Sequence, residues 1–250
     1  MKSTGNTILI TGGTSGIGYG LARRLHEAGN TVIVAGRRKE LLDEITTKHV
    51  GIESLVLDVS DPASISQAVQ SVTASHPQLN VLINNAGIMV AESVLDPSAL
   101  QIAEDEVTTN LLGAIRMTYA LMPHLVAQDD AAVMNVSSAL AFVPFPMAPT
   151  YSATKAAVHS FTTSLRIQLA DSSVGVIEIV PPGVQTALMP GQENDENAMP
   201  LEEYLDEVMA LFDAQPGAGE IVVERAKFFR DAEAEGRYAD VLSMLSGVGA

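Results

Sequence analysis

Short apolar runs alternate along this chain with longer segments in which apolar residues recur every three or four positions. Thr7–Thr11 (Thr-Ile-Leu-Ile-Thr) is such a run, rich in β-branched residues and bounded by glycines. Its unbroken apolar character predicts a strand buried on both faces. Similar runs predict strands at Thr31–Ala35, Ser54–Leu57, Val81–Ile83, Ala132–Val136 and Gly175–Val180. After the first strand, Ile17, Leu21 and Leu25 recur at helical spacing until Gly29 ends the helix. Asp61-Pro62 opens another helix, running to about Ala74, with Asp at the cap and Pro at the first helical position. A long helix is expected over 103–126, with Val107, Leu111, Ala114, Ile115 and Thr118 on its inward stripe. Another runs from Tyr151 to about Leu169. This alternation predicts an α/β fold, a doubly wound parallel sheet with its ligand at the strands' carboxyl ends. No linker, repeat or low-complexity tract divides residues 1–250, so one domain is expected.

Charge narrows the partners. The chain has 30 Asp and Glu against 14 Lys and Arg, a net charge of −16. That removes the basic footprint which nucleic acid or an anionic membrane requires. Residues 191–250 hold 14 acidic against 4 basic side chains and read as a solvated acidic surface. Cysteine is absent, which excludes disulfides and thiolate metal sites. His26, His49, His76, His124 and His159 lack ligand spacing, so no metal site is expected. No apolar run reaches membrane-spanning length. The stretch Met1–Asn6 lacks the apolar core of a signal peptide. A cytoplasmic location is the expectation.

The turn after the first strand reads Gly12-Gly-Thr14-Ser15-Gly16-Ile17-Gly18. A strand, a glycine turn and a helix make an anion site, because free N–H groups and the positive helix end face a phosphate. The spacing is Gly-x-x-x-Gly-x-Gly rather than Gly-x-Gly-x-x-Gly. After the second strand comes Gly36-Arg37-Arg38. In a dinucleotide fold this point faces the adenosine ribose, where a carboxylate suits NAD and an arginine the 2′-phosphate of NADP. Two guanidiniums and no carboxylate favour NADP(H), with NAD(H) the alternative. A basic, solvated turn would read the same way.

Tyr151-Ser-Ala-Thr-Lys155 puts a phenol and an ammonium one helical turn apart. A neighbouring cation favours phenolate, so Tyr151 is expected to have a lowered pKa and to act as a general acid/base. Asn110 lies within the 103–126 helix, where Asn is a poor former, and an Asn bonded to a neighbouring loop also fits.

Taken in order, these motifs resemble those of the short-chain dehydrogenase/reductase family over about residues 5–190. They are Thr11-Gly-x-x-x-Gly-x-Gly18, Asn84-Asn85-Ala86-Gly87, Asn110, Ser138, Tyr151-x-x-x-Lys155, and Pro182-Gly183 with Thr186. Ser138 precedes Tyr151 by thirteen residues, the family's usual interval, and is chosen over Ser137. The resemblance implies a Rossmann fold with a helical C-terminal extension, the segment 187–250 supplying a lid and helices within the single dinucleotide-binding and catalytic domain. It also implies roles. Tyr151 exchanges a proton with the substrate oxygen and Ser138 orients it. Lys155 lowers the phenol's pKa and holds the nicotinamide ribose, and Asn110 positions a relay water. Gly12, Gly16 and Gly18 admit the pyrophosphate, with Thr14, Ser15 and Ile17 nearby. Asp58 and Val59 face adenine, Asn85 to Gly87 the adjacent ribose, and Val184 and Thr186 the carboxamide.

Family members usually close the sheet with a seventh strand, which is not evident here. Leu201–Phe212, Glu220–Ala234 and Tyr238–Leu245 read as amphipathic helices instead. This ending, with the Gly-Arg-Arg turn, is similar to the DltE-like branch. The missing strand weighs against a tetramer, and a homodimer through helices 103–126 and 151–169 is implied. The substrate is expected beside Ser138 and Tyr151, bordered by Ile88, Met89 and Val90, by Phe142, Val143, Phe145 and Met147, and by Leu188 and Met189. That wall suits a small, mostly apolar carbonyl compound or its alcohol. The stretch 190–200 reads as a mobile lid.

Overall fold

The computed structural model describes residues 2–247. The ends of the expected 1–250 span lie outside the described residues. Seven parallel strands form one sheet in the order β3-β2-β1-β4-β5-β6-β7. They are β1 Thr7–Thr11, β2 Thr31–Gly36, β3 Ile52–Val56, β4 Val81–Asn84, β5 Ala131–Val136, β6 Val174–Val180 and β7 Glu220–Val222. Helix α1 (Gly16–Glu27) follows β1, α2 (Lys39–Lys48) follows β2 and α3 (Pro62–Ser75) follows β3. The order reverses between β1 and β4, and the crevice at such a switch point is where ligands of doubly wound sheets sit.

The side-chain alternation of β1 shows how the layers are built. Ile8 and Ile10 pack with Leu21 and Leu25 of α1 and with Tyr204 and Leu205 of α7 (Leu201–Ala214). Leu9, pointing to the other face, packs with Ile65 and Val72 of α3 and with Met117 and Leu121 of α5 (Gly113–Leu125). Both faces of the sheet are therefore covered, as parallel sheets require. Asp61 caps α3, its side chain accepting the Ala63 N–H, with Pro62 opening the helix. Among the described residues no helix is long and apolar enough to cross a membrane.

Three expectations need correction. A seventh strand exists: β7 pairs with β6 through Glu178↔Glu220, Ile179↔Ile221 and Val180↔Val222. The expected helix over Glu220–Ala234 shrinks to α8 (Glu224–Arg230), followed by α9 (Tyr238–Ser246). With β7 present, a missing strand no longer weighs against a tetramer. The long helix is not regular either. It comprises α4 (Leu100–Glu106), a π-helical turn (Val107–Leu112) and α5. The buried stripe is Glu106, Asn110, Gly113, Met117, Thr118, Leu121 and Leu125, so Thr118 faces inward as expected, whereas Val107 is exposed. The far end of the 190–200 segment is held to the turn after β6. Gly183 O accepts the Met199 N–H at 2.7 Å and Met199 O accepts the Gln185 N–H at 2.8 Å, and Ala198 and Met199 are buried.

Candidate active site

The glycine turn is shaped more by its protein neighbours than by open space. Gly12 and Gly16 have φ of +66° and +53°, which other residues adopt only with strain. A Cβ on Gly12 would meet Ala86 Cα at 2.7 Å, and one on Gly18 would meet Asn85 Nδ2 at 2.3 Å and Gly12 O at 2.5 Å. The turn is thus clamped to the end of β4. Thr11 Oγ1 accepts the N–H groups of Asn85 and Ala86, and Asn85 Nδ2 donates to the carbonyls of Thr11 and Gly12, each at 3.1 Å. Gly18→Ala is expected to lower stability by about 1–3 kcal/mol through overpacking, read as a lower urea midpoint at constant slope. An unchanged midpoint would show that the clamp yields.

Ser15 caps α1 without taking a first-turn N–H on its side chain, and that turn has no acidic residue. Its amides remain donors to an anion. Arg38 Nη2 instead donates to Thr14 Oγ1 at 2.9 Å and Ser15 Oγ at 3.1 Å. From here a cleft of about 390 Å³ runs past Arg37, Asp58 and Val59, over the glycine turn, to Tyr151, Lys155 and Thr186. The Asp58 carboxyl is desolvated, yet hydrogen bonds from Ser60 and the charge of Arg37 hold it below the usual range. Amide donors, paired cations and a Tyr–Lys pair meeting in one cleft fit a nicotinamide dinucleotide.

Tyr151 and Lys155 lie in α6 (Pro149–Gln168), 5% exposed each. The Tyr151 phenol packs among Met89, Leu140, Phe145, Leu188 and Met189. Burial pushes it up to about 12, a hydrogen bond with Ser138 opposes this, and the charge of Glu106 adds to it. The expected lowering by Lys155 is therefore not what this arrangement produces, since desolvation of the phenolate dominates. Lys155 Nζ lies 5.6 Å from the Tyr151 ring centre and donates to Val136 O at 2.8 Å. Burial pulls its ammonium down to about 8, with Glu178 opposing.

Ser138, not Ser137, is the serine beside the phenol. Its Oγ also accepts the Leu140 N–H at 3.1 Å, whereas Ser137 Oγ turns to Ile179 O. Asn110 sits in the π-helical turn and clasps one residue of the adjacent loop. Its Oδ1 accepts the Ile88 N–H at 2.8 Å and its Nδ2 donates to Ile88 O at 2.9 Å. A Cβ on Gly87 would lie 3.3 Å from Asn110 Oδ1 and 3.8 Å from Lys155 Nζ, so both side chains converge on Gly87.

Several residues depart from expectation. Val184 is turned into the core at 1% exposure, and the cleft wall there is Pro181, Thr186, Ala187 and Leu188 rather than Pro182 and Gly183. Phe142 and Val143 leave the substrate wall. Phe142 stacks edge-on to His159, and Val143 packs with Ala232 and Val241 of the C-terminal region. Two buried carboxylates went unnoticed in the sequence. Glu106 accepts the Val90 N–H at 2.8 Å, and burial, opposed by that bond, pushes it up to about 7. Its signal was the four-residue spacing to Asn110 on one helix face. Glu178 announced itself as the single charge in the apolar run Val-Gly-Val-Ile-Glu-Ile-Val.

Comparison with known proteins agrees with this geometry. A family profile described as short chain dehydrogenase matches residues 6–197. The chain is 39% identical to the uncharacterized oxidoreductase DltE of Bacillus subtilis (strain 168) over 237 residues, 93% of both chains. It is 32% identical to sulfoacetaldehyde reductase 2 of Chromohalobacter salexigens, over 72% of this chain and 73% of that one. A short chain dehydrogenase from Burkholderia cenocepacia J2315, solved in complex with NADP, superposes with a TM-score of 0.84. The two are 27% identical over 97% of this chain and 99% of the other. The chain belongs to the short-chain dehydrogenase/reductase family, oxidoreductases that exchange hydride between a nicotinamide cofactor and a CH–OH or C=O group.

Proposed function

We propose that this enzyme uses NADP(H) and acts on a small, mostly apolar carbonyl compound or its alcohol, with Tyr151 passing the proton. The observation that carries this reading is the phenol itself. It ends the cleft, shares a hydrogen bond with Ser138 and is walled by apolar side chains. Bound nicotinamide supplies the hydride. Ser138 holds the substrate oxygen beside the phenol, an orienting and electrostatic role. A phenol pushed up to about 12 is fully protonated at neutral pH, so the free chain is set to donate, as carbonyl reduction requires. The Lys155 ammonium meets the nicotinamide ribose and stabilises the phenolate left after transfer. Asn110 fixes Ile88 and Gly87 beside that ammonium and lines the route by which the proton is replaced. The segment 187–197 closes over the bound substrate.

The wall around Tyr151 supports this substrate class. Met89, Leu140, Phe145, Leu188 and Met189 offer no cation to a phosphate or carboxylate. Steady-state rates with NADPH on a panel of neutral ketones and aldehydes, sugar phosphates and keto acids are expected to favour the neutral compounds. A preference for the phosphorylated or carboxylated compounds would overturn the substrate class.

A further inference from the structure

Beneath α6, on the side away from the cleft, lies a group of charges that the reaction does not directly use. Glu178 of β6 is fully buried, yet it is a carboxylate in an otherwise apolar strand. Its Oε2 lies 2.8 Å from His159 Nδ1, and its Oε1 has no hydrogen-bond partner. A buried carboxylate with an unused oxygen is costly unless a charge compensates it. His159 is one helical turn beyond Lys155, on the same face of α6. The sheet fixes the rest. Asn135 of β5 is in register with Glu178, and the next residue, Val136, offers the carbonyl that holds Lys155 Nζ.

We propose that Glu178 is a positioning residue for Lys155: a carboxylate buried under α6 that keeps the ammonium charged, with His159 as its own counter-ion. The inference rests on the role proposed above for Lys155. Arg166 of α6 lies nearby but donates to the carbonyls of Val176 and Gly219, and two further charged groups act on His159. From β7, Glu220 supports the imidazolium of His159, and from α8, Arg230 opposes it while closing on Glu220 at 3.0 and 3.2 Å. The ligand atoms of His159, Glu178 and Glu220 lie within 4.8 Å of one another. Arg230 already balances Glu220, however, so the cluster reads as an ion-pair network rather than a metal centre. Arg230 also stacks on Phe142, 4.7 Å from its ring centre, and Phe142 stacks on His159 at 4.8 Å. Phe142 ends the short 3₁₀ turn that Ser138 caps. The network therefore braces both Lys155 and the segment carrying Ser138.

Its balance of charges explains why the lysine is not simply lost to burial. Desolvation lowers the Lys155 value to about 8, and Glu178 is the group that acts against it. Removing that carboxylate leaves desolvation unopposed.

The test reads Lys155 directly. The chain has five lysines, so ¹³Cε-lysine NMR resolves their titrations, with Lys155→Met assigning the signal. In Glu178→Gln the Lys155 titration is expected to move down by about one pH unit or more. The pH at which carbonyl reduction falls off on the alkaline side should move down with it. Glu220→Gln also removes one acidic charge, but beyond His159, and is expected to leave Lys155 where it was. An unmoved Lys155 in Glu178→Gln, or an equal movement in Glu220→Gln, would overturn the proposal. If Glu178→Gln does not fold, Glu178→Asn and Glu178→Asp give the same comparison, uncharged against charged at one size. A wild-type chain that turned over no carbonyl compound would defeat the functional reading, while the Lys155 titration would still decide this inference.

Discussion

Tyr151→Phe is expected to cut turnover by about 10²–10⁴-fold, the range that loss of a positioned general acid produces, while nucleotide binding stays near the wild-type level. The substitution isolates the hydroxyl. The ring is 5% exposed and packs among Met89, Leu140, Phe145 and Leu188, and Phe keeps all of those contacts. What it removes is the proton and the hydrogen bond with Ser138. In the function proposed above, nucleotide binding would draw on other groups, chiefly the α1 amides and the arginines after β2, and these are untouched. Two measurements separate the outcomes: steady-state reduction of a neutral ketone, and titration with NADPH followed by nucleotide fluorescence. Near-normal turnover would remove Tyr151 from the acid/base role. Loss of nucleotide binding along with turnover would mean that the phenol is needed to shape the cleft.

The glycine turn and the Tyr–Lys helix were legible in the sequence because their signals are local, whereas Ser138 was singled out only by the family's interval to Tyr151. Each is a short spacing on one element, and the structure places Tyr151, Lys155 and Gly12 to Gly18 in a single cleft. The features that escaped depend on distant partners. Strand β7 is three residues long with one of them buried, so no period could mark it, and only its pairing with β6 defines it. Apart from Thr118, the stripe over 103–126 differs because the π-helical turn at Val107–Leu112 breaks the 3.6-residue repeat of a regular helix. The extra residue per turn brings Glu106 and Asn110 inward, both onto the loop that borders Tyr151. Phe142 and Val143 looked like substrate contacts because they are apolar and near Ser138. His159 comes from the next helix, and their other partners, Arg230, Ala232 and Val241, come from the far end of the chain. The direction of the Tyr151 shift escaped for a similar reason. Sequence spacing shows the neighbouring ammonium, while the burial that outweighs it is a property of the assembled fold.

Arg37→Ala is expected to weaken NADPH binding by about 10–100-fold, the worth of one charge-assisted pair with a phosphate, and to change NADH binding little. The surroundings of the tip of β2 are the reason. Arg37 and Arg38 are exposed there, and the nearest carboxylate in the cleft wall, Asp58, belongs to the end of β3 and already feels the charge of Arg37. The two arginines are not equivalent. Arg38 is committed to Thr14 and Ser15 and so braces the glycine turn itself. Arg38→Ala should therefore weaken NADPH and NADH together, because the turn that both share loses its tie, whereas Arg37, in the function proposed above, would meet only the 2′-phosphate. The chain has no Trp, so nucleotide fluorescence can be followed free of indole emission. Exposed charges are screened over about 8 Å at physiological ionic strength, so the NADPH advantage should also shrink as salt is raised. Tighter binding of NADH by the wild-type chain, or equal losses of both nucleotides in Arg37→Ala, would overturn the phosphate reading. That result would turn the enzyme toward NAD-linked alcohol oxidation, in which the buried phenol must first give up its proton.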